Sequence, residues 1–120
     1  MINPPIIVAE GWDLKLYGST QDAELDLEPV DVEAGLYVAY DSRGLLLKLE
    51  ARDSAVVLSA AEPSPTHQEQ LEDLLRGALQ RIGKDPMKAN GLEGLVEAAQ
   101  VFAFKPPRSS AEVFKGFFKK

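Results

Sequence analysis

Residues 36–51, LYVAYDSRGLLLKLEA, set two runs of strand-forming residues on either side of the polar tetrapeptide Asp41-Ser42-Arg43-Gly44. Two such runs joined by a short turn segment predict a β-hairpin. Asp41, Ser42 and Arg43 suit a type I turn, and Gly44 takes the positive φ that brings the chain back antiparallel. Burial, rather than the turn, sets the expected register. With a four-residue loop, Tyr40 faces Leu45, Val38 faces Leu47 and Leu36 faces Leu49, so one face is wholly apolar. Tyr37, Ala39, Leu46, Lys48 and Glu50 then occupy the other. A three-residue loop would scatter the leucines over both faces and lose buried apolar area, so the first pairing is expected.

Outward from the hairpin, the flanking segments supply more strands. Residues 6–9, IIVA, follow the extended Asn3-Pro4-Pro5 and form a short, fully apolar run, the pattern of a buried strand. Residues 12–17 alternate, with Trp12, Leu14 and Leu16 on one side and Asp13, Lys15 and Tyr17 on the other. They predict a half-buried strand paired with the first through a turn near Glu10 and Gly11. After the hairpin, Asp53 and Ser54 make a turn into residues 55–60, AVVLSA, a fifth strand. Short connections imply mostly antiparallel pairing.

Between the second strand and the hairpin, Ser19 or Thr20 can cap a short helix with Asp22 in its first turn, where the helix dipole favours an acid. Ala23, Leu27 and Val30 share its inner face, and Pro29 is expected to stop it, leaving residues 30–35 as a polar connection. Asp22 and Asp26, like Glu24 and Glu28, lie one turn apart, a like-charge spacing that costs a few tenths of a kcal/mol per pair. A basic partner is one way of compensating that cost.

The second half is helical. Thr66 and Glu69 have capping-box spacing, and Leu71, Leu74, Leu75, Ala78, Leu79 and Ile82 make one apolar stripe that Gly83 ends. Burying those six side chains against the sheet contributes on the order of 10 kcal/mol before ordering entropy is deducted. Asn90 can cap another helix with Leu92, Leu95, Val96, Ala99 and Phe102 on one stripe, ended by Pro106 and Pro107. A last short helix would carry Val113, Phe114, Phe117 and Phe118 beside Lys115, Lys119 and Lys120. Its apolar side suits either the protein's own core or a membrane surface. The expected architecture is therefore one α+β domain. A mostly antiparallel sheet of about five strands in residues 1–61, with a short helix near 20–28, is covered by two or three helices from residues 65–120.

A chain of 120 residues with 45 % hydrophobic and 27 % charged content is long enough for one real core and is not compositionally disordered. It has no cysteine, which removes disulfides, thiolate zinc sites and cysteine nucleophiles. No apolar run approaches the ~20 residues of a membrane helix. MINPPIIVAE lacks the form of a signal peptide, so the cytoplasm is the expected compartment. The net charge of −6 argues against general nucleic-acid binding. Its distribution is uneven: residues 1–64 hold 12 acids and 4 bases, a net −8, whereas residues 65–120 hold 7 and 9, a net +2.

The chemistry-bearing residues are few. His67 is the single histidine, and no acid stands at a triad-like or zinc-like spacing from it, so a solvated residue near a helix start outweighs a general base. No serine sits in a nucleophile elbow, and Gly91 to Gly94 is no phosphate loop. The carboxylates from Asp22 to Glu33 lack the glycine-punctuated alternation of a calcium loop, so no metal and no cofactor is expected. They form either a solvated acidic face or a docking surface for a basic protein. Tyr40 belongs to the core. Tyr37, on the mixed face, either anchors a partner or packs under a loop.

Over residues 6–50 these features add up to a likeness. Asp13 and Leu14 in the second strand, the helix of residues 19–27, the run EPVDV at 28–32, then Gly35, Tyr37, Tyr40-Asp41 and Gly44 resemble a class of small cytoplasmic immunity proteins encoded beside bacterial polymorphic toxins. The resemblance implies a protein without enzymatic activity that binds and neutralises one cognate toxin, often a nuclease or another basic enzyme of the cytosol. It supplies no toxin-binding residue position by position. Charge alone nominates Asp22, Glu24, Asp26, Glu28, Asp31 and Glu33, with Tyr37 and Asp41 nearby, as the partner surface. Two alternatives stay open: a small enzyme or ligand-binding domain with its pocket between sheet and helices, and a structural subunit that uses the phenylalanine-rich tail as an interface.

Overall fold

The computed structural model describes residues 1–11 and 13–106. The expected position of Trp12 and the expected last helix, with Val113, Phe114, Phe117 and Phe118, lie outside the described residues. Six strands form one sheet: β1 (Ile6–Glu10), β2 (Asp13–Tyr17), β3 (Tyr37–Tyr40), β4 (Leu46–Arg52), β5 (Ala55–Ala60) and β6 (Phe104–Lys105), in the order β5-β4-β3-β1-β2-β6. All pairs are antiparallel except β2 with β6, where the chain returns from the helical half to lay Phe104 beside Leu16. The domain is α+β as expected, with one more strand than the sequence predicts.

Both faces of the sheet are covered. On one side α1 (Thr20–Asp26) and α2 (Pro29–Glu33) bring Ala23, Leu27 and Val32 onto Ile6, Val8, Tyr17, Ala39, Leu47, Val56 and Leu58. On the other, α3 (Gln68–Arg81) and α4 (Gly91–Ala103) bring Leu71, Leu75, Leu79, Leu95, Val96 and Ala99 onto Ile7, Leu16 and Tyr40. This is why residues 6–9 are apolar without alternation: β1 is central, and successive side chains enter opposite cores. The same layering explains Tyr17, which alternates with leucines yet is only 1 % exposed.

The hairpin register differs from the expected one by one residue. Tyr40 lies opposite Leu46 and Ala39 opposite Leu47, which leaves a five-residue loop, Asp41 to Leu45. The expected pairing presupposes a single covered face. With two, dividing the leucines loses nothing: Leu47 and Leu49 pack with Ala39 toward α1 and α2, while Leu46 joins Tyr40 toward α3 and α4. Val38 and Leu36, expected in the core, are exposed.

The local helix signals are used differently too. Of the two expected caps, Ser19 is the one that closes α1, its Oγ accepting from the Asp22 amide at 3.0 Å, while Thr20 is the first helical residue. Pro29, however, both follows α1 and opens α2 as its first residue, where its missing N–H costs nothing. Val30 falls on the outside of α2 and Val32 takes its place in the core. The Thr66–Glu69 capping box is not used, because Thr66 is held by Glu62 and α3 starts two residues later, after His67. Ile82 lies beyond the end of α3 and is exposed, as is Phe102, near the end of α4. Asp53 and Ser54 form the expected turn, both at positive φ (50° and 65°), the geometry of a type I′ hairpin.

Candidate functional site

The nominated carboxylates converge on α1, α2 and the segment between them. Asp22 and Asp31 occupy the first turns of the two helices, where the dipole offsets part of their mutual repulsion. Glu28 and Glu33 are exposed. Three acids of the group are engaged within the molecule. Glu24 accepts the Leu58 amide at 2.7 Å, Asp26 accepts the Tyr17 hydroxyl at 2.6 Å, and Asp31 accepts the Tyr37 hydroxyl at 3.3 Å. The like-charge cost along α1 is therefore offset in part by donors within the molecule.

Each of these donors is neutral. A hydroxyl or an amide orients a carboxylate without cancelling its charge. Among the described residues, the ion pairs join Lys48 and Arg52 to Glu50, His67 to Glu62 and Arg76 to Glu72, and none involves residues 22–33. Six negative charges thus stand on one short stretch of surface, and their potential extends into solvent about as far as the Debye length of ~8–10 Å. Leu25, Val30 and Leu36 are exposed on the same stretch.

Tyr37 packs half-buried against the core beside Leu49, and burial raises its phenol above the ordinary value of 10. Of its two expected roles, packing is the one the geometry displays. Asp41 must be withdrawn from the surface set. It is fully buried, with Oδ1 accepting from the Arg43 and Leu45 amides at 2.8 and 2.9 Å and Oδ2 from the Asn3 amide at 2.9 Å. Its carboxylate shapes the hairpin loop and ties the amino-terminal segment to it.

Among the described residues His67 is not part of a triad-like relay. Thr66 Oγ1 and Glu62 Oε2 both approach its Nδ1, at 3.2 and 3.0 Å. A nucleophile–base–acid relay needs the two partners on opposite ring nitrogens. Among the described residues no three His, Asp or Glu side chains gather as metal ligands do. Two grooves of about 720 and 760 Å³ open on the surface, one between Pro4, Pro5, Arg43 and α4, the other between the end of α3 and α4. A depression between sheet and helix, at Leu14, Leu74 and Gly77, holds only about 90 Å³, far below a metabolite site of ~300 Å³ or more.

Glu62 is the residue that sequence reasoning missed. Its carboxylate accepts from the Leu46 amide at 2.8 Å, from the Thr66 amide at 3.2 Å and from the Thr66 hydroxyl, and it pairs with His67. It joins the start of β4 to the start of α3. A lone glutamate before a proline carries no pattern that announces this role. The Leu46 amide and then the Thr66 hydroxyl push its carboxyl down to about 2 from 4.5. A depressed folded-state value means that the stability it contributes is present above about pH 4.5 and lost as pH falls toward 2. The stability difference between the native chain and Glu62→Gln, measured by urea unfolding, should therefore shrink steadily from about pH 5 to about pH 2. A difference that stays constant across that window would contradict this account.

Comparison with family models, curated proteins and solved structures finds no match to this chain.

Proposed function

We propose that this chain is a non-enzymatic binding protein that neutralises a cognate basic toxin, the role performed by the immunity proteins its first half resembles, with α1 and α2 as the docking surface. The observation that carries this reading is the set of six carboxylates on those two helices and the segment between them, three of them oriented by neutral donors and none paired with a described cation. Exposed Leu25, Val30 and Leu36 supply apolar contact area on the same stretch as the carboxylates, and specific interfaces combine apolar with charged surface in this way. Uncancelled charge of one sign accelerates encounter with a positively charged active site and disfavours acidic competitors. In this reading the chain acts in the cytoplasm, uses no cofactor, and Asp22, Glu24, Asp26, Glu28, Asp31 and Glu33 supply the field.

The hydrogen bonds decide which of these acids to change in a test. Reversing Asp26 or Asp31 would also break a tyrosine hydrogen bond, and reversing Glu24 would release β5. Asp22→Lys, Glu28→Lys and Glu33→Lys together alter charge at side chains without such partners. With the toxin encoded by the adjacent open reading frame, the triple variant should keep its circular dichroism spectrum. Its association rate should fall on the order of tenfold or more at low ionic strength, and the salt dependence should vanish. An unchanged association rate would remove the acidic helices from the interface, and failure of the native chain to neutralise that protein would overturn the reading itself.

A further inference from the structure

Among the described residues the sheet ends at β5, an edge strand of sequence AVVLSA with neither charge nor proline. Long, uncharged, apolar edges are templates for another strand, and proteins normally guard them. Here the register shows which groups are at stake. The two-residue turn makes Arg52 and Ala55 a hydrogen-bonded pair, and alternation then turns the backbone groups of Val56, Leu58 and Ala60 away from β4. Glu24 reaches from α1 to the middle of that row and takes the Leu58 amide at 2.7 Å. A carboxylate at this point is an obstacle of two kinds. It occupies the central donor, and an incoming strand would have to strip water from a charge to displace it.

We infer that Glu24 is an edge guard, and that the surface it closes is a pairing site for the β5 of a second copy of this chain. The strand itself argues for that occupant. A twofold axis through Leu58 sets Leu58 against Leu58 and Val56 against Ala60, so every outward backbone group meets a partner. No like charges are opposed within the paired strands, because β5 has none. The two sheets would become continuous. This inference does not depend on the toxin reading, because it concerns only the edge strand and its cap.

Sedimentation velocity tests it. The native chain should remain monomeric into the hundreds of micromolar, whereas Glu24→Ala should form a dimer with a dissociation constant on the order of tens of micromolar, strengthened by salt that screens the paired acidic helices. Adding Ala60→Pro, which removes an outward amide on an exposed residue, should return Glu24→Ala to monomer. A monomeric Glu24→Ala chain, a dimer that Ala60→Pro leaves intact, or a native chain already dimeric through β5 would each overturn the inference. Should Glu24→Ala not fold, Glu24→Gln decides. It keeps an acceptor without the charge, so it should dimerise about tenfold more weakly than the tens-of-micromolar level, and a strictly monomeric Glu24→Gln would refute the guard.

Discussion

Replacing Gly44 by alanine should lower the unfolding free energy by about 3 kcal/mol, enough to drop the melting temperature by roughly 10 °C in a domain of this size. Two effects combine. Gly44 has φ 89°, outside the region that side chains favour, and a Cβ there would lie 2.7 Å from the Cα of Gln68. The obstruction is backbone at the start of α3, fixed in place by the His67 amide, which donates to the Gly44 carbonyl at 3.0 Å. Neither side can yield without parting the hairpin loop from α3. Gly11 provides the control, since it has φ 59° and an added methyl group there would meet nothing within 4 Å. Gly11→Ala should cost only about 1 kcal/mol, the conformational part alone. Equal losses in the two variants, measured by urea unfolding, would show that close approach to α3 contributes nothing.

The second large effect is expected at Asp41. Asp41→Ala should destabilise by about 3 kcal/mol, because it abandons three backbone donors, of which the Leu45 amide is buried and has no access to water. Asp41→Asn should cost less, about 2 kcal/mol. Its remaining carbonyl oxygen can still serve Arg43 and Leu45, but its amide group then faces the Asn3 N–H donor to donor. The order of the two variants is the test, read as denaturation midpoints. If alanine is tolerated as well as asparagine, the loop is held by its other contacts and the carboxylate is dispensable.

These two residues show where sequence reasoning stops. Gly44 is legible as a turn glycine, but the reason for a glycine at that point is the chain at Gln68, which no local pattern reveals. Asp41 reads as a polar loop residue near an acidic surface. An aspartate in a turn is ordinarily solvated, and only the arrival of Asn3 from the amino terminus encloses it. The acidic set fares differently. Charge alone finds its members, yet which of them carry internal bonds depends on Tyr17, Tyr37 and Leu58, residues brought close by β2, β3 and β5.

What residue order alone determined is the list of parts: five of the six strands, a helix cap at Ser19 or Thr20, the apolar stripes of α3 and α4, the α+β class and the concentration of negative charge in residues 1–64. Those properties follow from periodicity and composition, which are local. Tertiary structure decided the rest: that both faces of the sheet are covered, that the hairpin shifts by one residue as a result, that Phe104 and Lys105 add a parallel strand, and that Glu24, Asp41 and Glu62 each take a backbone amide from a distant segment. Each of these depends on segments far apart in the chain meeting in space, where a backbone amide or an apolar face that one segment leaves open is satisfied by another.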